Sequence, residues 1–325
     1  MTRNGDGRRD RLDALAVVLL VTCSAIWGVA QVAAKVTLHD VPPLLQAAAR
    51  SVGAALLLLL WSRWRALPLM TADGTGRAGL LAGALFAAEF ACIFSGLQFT
   101  SASRMAVFIY LAPFFVALGM PFISRHETAR PSEGLTPECE ARRSDSERLG
   151  AVPVAGLLLA FGGVVWAFAE GFTLGAGVPR QWLGDALGIA AAALWALTTL
   201  TLRGSRLSGA LPEKALMYQL VVSGVALLLG SVLAGEPWPR AIGATELAAL
   251  VFQIVVVTFA SYLSWFWLVR HYPATRISAF TLLTPGFGLL AGVVLLGEPL
   301  TARLLVALGA VCLGIGLVSQ PPRKS

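Results

Sequence analysis

Two ionisable side chains lie where the surrounding sequence is apolar. Glu89 sits in Leu85-Phe86-Ala87-Ala88-Glu89-Phe90-Ala91, and Arg50 sits in the apolar stretch 42–62. A charge at the centre of a lipid bilayer costs about 2.5–3.5 kcal/mol on insertion scales. A carboxylate at that depth can carry a proton, bind a substrate amine, or serve as a structural group. A guanidinium at similar depth can pair with it, hold a substrate carboxylate through two parallel hydrogen bonds, or reach outward to the interface.

Other residues near these depths have chemistry of their own. Trp27 and Trp195 lie inside apolar runs, where an indole can line a cavity, stack on a solute or fill volume. Gln31 follows Trp27 by one turn, and Tyr110 precedes Pro113 by one turn. Gln98 and Gln253 are further polar residues in apolar surroundings. A helix proline cannot donate to the carbonyl four residues earlier. Pro113 and Pro285 therefore predict free carbonyls at Ile109 and Thr281, either in helices that flex as gates or in static kinks.

These residues need elements long enough to hold them. The chain has 325 residues, of which 57% are hydrophobic and 13% charged, and its mean hydropathy is +0.74. A soluble domain carries roughly a quarter charged residues, so much of this surface faces lipid. Runs of about 20 apolar residues fall at roughly 13–35, 42–62, 78–98, 103–123, 150–169, 184–202, 214–234, 246–268, 277–297 and 301–319. The first run is too long for the core of a secretory signal. Only Glu298, Pro299 and Leu300 clearly part the last two. Gly79/Gly83, Gly184/Gly188 and Gly288/Gly292 have the spacing that lets helices pack closely.

The net charge of +7 comes from bases in the short links, so it points to topology rather than nucleic acid. With the N-terminus inside, 19 of the 25 Lys and Arg residues fall on the inner side. That bias predicts an even number of spans with both termini in the cytoplasm, within the inner (plasma) membrane. Lys35, Arg104, Arg203 and Arg276 lie near span ends, where topology explains them and anion attraction is an alternative. Residues 1–12 and 320–325 read as cytoplasmic tails, and the charged stretch 124–149 reads as a flexible cytoplasmic linker.

The sequences on the two sides of that linker echo each other. Ala25-Ile26-Trp27-Gly28 matches Ala193-Leu194-Trp195-Ala196, and Ser101-Ala102-Ser103-Arg104 matches Pro273-Ala274-Thr275-Arg276. Pro113 and Pro285 each follow the latter arginine by nine residues. The fold class expected is all-α integral membrane, with ten transmembrane helices as two inverted five-helix repeats. The first repeat covers 13–123 and 150–169, and the second covers 184–319. Five spans per half insert in opposite senses, the arrangement of transporters with a site at mid-membrane. In this register Ser261 falls opposite Glu89, and Val221 or Val222 opposite Arg50, so a symmetric frame holds an asymmetric polar site.

The chain resembles the drug/metabolite transporter superfamily, of the ten-span EamA type. The residues that carry the resemblance are Ile26-Trp27-Gly28, Gly96 through Arg104, Leu111-Ala112-Pro113-Phe114-Phe115, Gly184-Asp185-Ala186-Leu187, Ala193-Leu194-Trp195, Leu283-Thr284-Pro285, and Leu295 through Leu300. The chain departs from that pattern at Arg125-His126-Glu127-Thr128 and the long insertion after it. The resemblance implies a secondary transporter of a small metabolite, an amino acid or similar, often as an exporter.

Other classes find less in the sequence. There is no phosphate-binding Gly-rich loop for ATP, so a proton or solute gradient is the expected driver. Cys23, Cys92, Cys139 and Cys312 are far apart and form no metal-binding pair, so neither a metal nor a cofactor is expected. His39, His126 and His271 fall in links, which leaves an intramembrane enzyme without converging groups. A lipid or isoprenoid-carrier flippase stays open as a variant of transport. The expected partners are a small-molecule substrate, the bilayer and protons, with an oligomer compatible with the sequence.

Overall fold

The computed structural model describes residues 13–69, 71, 73–116, 118–119, a few positions between 155 and 166, 180–271, 280–281 and 283–318. The described residues are all helical or in links, without strands. Six helices are long and apolar enough to cross a membrane. They include α1 (Ala14–Thr37), α2 (Pro43–Trp64) and α3 (Gly76–Gly96). Beyond the linker come α5 (Gln181–Arg203) and α6 (Pro212–Leu233). The sixth is composite: α7 (Ala244–Val251) runs through a π-helical stretch, Phe252–Ser261, into α8 (Tyr262–His271). Shorter apolar helices are α4 (Ala102–Ile109), α9 (Leu283–Leu296) and α10 (Ala302–Val318). The span expected at 150–169 and the linker at 124–149 lie largely or wholly outside the described residues.

Local chemistry sets the ends. Asp13 caps α1 by accepting from the Ala16 N–H at 2.9 Å, and Ser101 caps α4 by accepting from Arg104 at 3.1 Å. Pro43 and Pro212 open α2 and α6, where a missing N–H costs nothing. Gly235 and Gly297, with φ of 67° and 65°, end α6 and α9 in the left-handed conformation that favours glycine. The break expected between the last two runs lies at Gly297–Thr301.

The prolines differ from expectation. The helix of α4 breaks at Tyr110 and Leu111, and Pro113 opens the short stretch that follows. Pro285 lies in the first turn of α9, buried beside Thr284. First-turn N–H groups have no partner within the helix, so both prolines stand near helix starts rather than in helix interiors.

Burial is inverted relative to a soluble protein. Leu60 and Val294 are 68% and 67% exposed, while Gln46, Ser51, Gln253 and Thr258 are buried. Apolar surface gains little by leaving lipid, so helices here associate through close packing and polar bonds. The contacts join the two sides of the linker: α1 packs on α9 and α7, α2 on α6, α3 on α5 and α6, and α4 on α9 and α5.

Glycines set the closest of these contacts. A Cβ at Gly28 would stand 2.6 Å from the Gly288 nitrogen, and one at Gly184 would stand 2.7 Å from the Gly96 carbonyl oxygen. Backbone cannot yield as a flexible side chain does. Gly28→Val is therefore expected to destabilise by about 3 kcal/mol or more. A melting curve in detergent checks this, and an unchanged Tm would contradict the packing.

Candidate functional site

The polar side chains at the centre come from helices on both sides of the linker. Glu89 of α3 and Arg50 of α2 are 5% and 4% exposed. Both lie within electrostatic reach of each other and of Tyr262, at the start of α8. They are not joined as a sealed pair. Among the described residues, Glu89 Oε2 and Nε and Nη2 of Arg50 have no hydrogen-bond partner. The guanidinium instead lies over the Phe90 ring, 3.6 Å from its centroid, in a cation–π contact. Phe90 follows Glu89 directly, so one helix turn supplies both a carboxylate and an aromatic face.

Trp27 of α1 donates from Nε1 to Ser261 Oγ at 2.8 Å. The Ser261 hydroxyl donates in turn to the Val257 carbonyl. The Trp27 ring meets Trp265 and Tyr262 edge-on, with centroids 5.2 and 6.4 Å away. Tyr110 stacks edge-on against Trp195 at 5.8 Å, and its hydroxyl faces Thr284 and Tyr262. The structure thus brings Glu89 and Arg50 together, Trp27 and Ser261 together, and Tyr110 and Trp195 together. Tyr262 is the residue that these groups share. Gln31 lies one turn beyond Trp27, and its buried Oε1 meets no partner among the described residues.

Tyr262 is the main residue that sequence reading passed over. It follows a ten-residue π-helix, a rare form associated with functional sites. The wider turn lets consecutive residues Ser261 and Tyr262 both face the site, which α-helical periodicity does not predict. The sequence held no readable signal for this.

Outside the centre, buried charges bind helices together. Arg104, expected to serve topology or to attract anions, makes a forked pair with Asp185: Nη2 to Oδ2 at 2.5 Å and Nε to Oδ1 at 3.1 Å. Lys35 donates to the Thr100 carbonyl. Gln253 is part of a packed network, donating to Thr37 Oγ1 at 3.0 Å. At the opposite end, Lys214 donates to Asp73 at 2.7 Å and to the Thr71 carbonyl at 2.7 Å. Lys214 and then Thr75 hold the Asp73 carboxyl well below the usual carboxylate range. The contact therefore contributes fully above about pH 4 and fades only as pH falls through the lowered value. The Gly243 N–H and the neighbouring His39 likewise lower Asp40.

An all-helical bundle with six helices long and apolar enough to cross a membrane has the architecture of a multi-pass membrane protein. The model of the EamA-like transporter family matches residues 14–130 and again 182–320, once on each side of the linker. The chain belongs to the EamA-like transporter family. It is 28% identical over 315 residues to an uncharacterised transporter of Archaeoglobus fulgidus, covering 93% of this chain and 97% of that protein. It is 27% identical over 320 residues to a probable amino-acid metabolite efflux pump of Salmonella typhimurium, covering 95% and 94%. The same description applies to a relative from Escherichia coli, 25% identical over 95% of this chain and 94% of that protein. A crystal structure at 19% identity superposes with a TM-score of 0.62 over 96% of this chain and 99% of that one, and it shares the fold.

Proposed function

We propose that this chain is a secondary active transporter that moves a small zwitterionic metabolite, an amino acid or similar, across the inner membrane by alternating access. The observation that carries the proposal is the pair of buried ionisable side chains, Glu89 and Arg50, with polar atoms that meet no partner among the described residues. An unsatisfied buried polar atom costs about 1–3 kcal/mol, and more when charged. A fold that keeps several together has a use for them. Arg50 offers a fork for a carboxylate, Glu89 accepts from an ammonium group or takes a proton, and Phe90, Trp27 and Tyr262 supply walls. Export is the direction suggested by the relatives described as efflux pumps.

The architecture proposed for this work is ten spans in two inverted repeats, 13–123 with 150–169 and then 184–319. The doubled family match and the contacts of each early helix with later ones support it. Two near-equal halves give two states of near-equal energy, open to opposite sides. Pro113 and Pro285, at breaks beside the site, are the proposed hinges. Both termini and the linker face the cytoplasm in this arrangement. A cysteine-specific, impermeant reagent is then expected to label Cys139 only from the cytoplasmic side, and labelling from outside would invert the topology.

Counterflow in liposomes tests the transport reading directly. Proteoliposomes preloaded with one unlabelled amino acid are expected to accumulate its labelled form, tested beside a panel that includes sugars and amines. Accumulation of sugars alone would overturn the zwitterion assignment.

A further inference from the structure

One rim of the bundle is closed by carboxylates of the later helices that clasp the starts of the earlier ones. It is the rim where α1 and α3 end and α2, α4 and α5 begin, which the charge distribution assigns to the outside. Glu236 accepts from the N–H groups of Leu44 and Leu45 at 3.0 and 2.9 Å, at the start of α2. Glu298 accepts from the N–H groups of Ala102 and Ser103 at 2.7 and 2.9 Å, and from Ser103 Oγ at 2.6 Å, at the start of α4. Asp185 takes the Arg104 fork and the Thr100 hydroxyl, the latter at 2.6 Å. All three contacts cross between the two family-matching segments.

The two glutamates occupy the same device. Each stands in Gly-Glu-Pro, at 235–237 and 297–299. A left-handed glycine ends the span, and the following carboxylate reaches across to a helix start. Free N–H groups and the helix dipole favour an anion there. At a rim, water can replace that carboxylate as acceptor, so the contact holds firmly yet can be exchanged. The Arg104–Asp185 pair behaves differently. Its side chains are 5% and 0% exposed, and parting it while dry would strand two charges. It can open only as water enters, which makes the opening a two-state event.

We propose that Glu236, Glu298 and Asp185 together form the gate on this rim, released as a unit when the site opens to that side. This rests on the transport reading of the central site. The link to the site is short: Arg104 lies in α4, which ends just before Tyr110, and Asp185 shares α5 with Trp195. Parting the gate therefore moves the Tyr110–Trp195 wall.

The test reads water access rather than substrate, so it stands apart from the transport assay. Cys92 lies one turn beyond Glu89 and in electrostatic contact with it. In a variant keeping Cys92 as the sole cysteine, an impermeant maleimide applied from the rim side measures opening. Asp185→Asn is expected to raise the labelling rate about tenfold, the change produced by about one decade in the open–closed equilibrium. Glu298→Gln, milder for folding, is expected to raise it in the same direction. Conversely, Arg104→His with Asp185→His, bridged by added Ni2+, is expected to suppress labelling of Cys92 until a chelator is added. Unchanged labelling in the bridged, folded protein and in Glu298→Gln would overturn the gate. A working gate in a protein that moves no amino acid would instead overturn only the substrate reading.

Discussion

Glu89→Gln is expected to lower gradient-driven transport about 100-fold while leaving exchange of bound solute largely intact. The amide keeps the shape and the hydrogen-bonding reach of the acid but neither ionises nor carries a proton. Hydrogen bonds to charged groups contribute about 1.5–3 kcal/mol, and each 1.4 kcal/mol is tenfold. The native carboxylate has an oxygen without a partner, so the variant loses no existing bond and should fold. Transport measured in vesicles across pH checks this. A pH dependence identical to wild type would remove Glu89 from proton coupling.

Arg50→Lys is expected to raise the apparent KM for amino acids about tenfold or more, with a much smaller effect on the matching amines that lack a carboxylate. Lysine keeps the charge but loses the planar fork, and with it the stacking on Phe90. Comparing KM for amino acid and amine pairs in liposomes separates the two roles. Equal losses for both would mean that Arg50 holds the bundle together rather than the substrate.

The sequence made the frame legible because lipid imposes a simple rule: long apolar runs separated by short basic links. The bounds of α1, α2, α5 and α6 lie within a few residues of those runs. The break at 297–301 was legible for a local reason, a glycine followed by a charged residue and a proline. The helix starts near the prolines were hidden because hydropathy cannot see that a helix has already stopped. Residues near Pro113 are as apolar as those of a continuous span, yet the chain turns at Tyr110 and Leu111.

At the site, Glu89, Arg50, Trp27 and Ser261 were legible as polar or bulky groups in the wrong solvent. Their relations were not. A guanidinium resting on Phe90 rather than on Glu89 is a matter of side-chain reach within one helix turn. Tyr262 was hidden because a π-helix changes the residues that share a face. Asp185 stood in a motif, but nothing in one sequence says that Arg104, 81 positions earlier, is its partner. The repeated Gly-Glu-Pro was a signal available to reading alone, since two identical turns after two spans ask for a common purpose.

The most direct measurement of the central claim is coupled flux. Purified protein in liposomes, with a pH-sensitive dye trapped inside, reports protons that move when an amino acid is added. The account predicts proton movement that depends on the solute in wild type and is lost in Glu89→Gln protein of equal stability. Solute movement with no proton signal in wild type, or an equal signal in the variant, would contradict it.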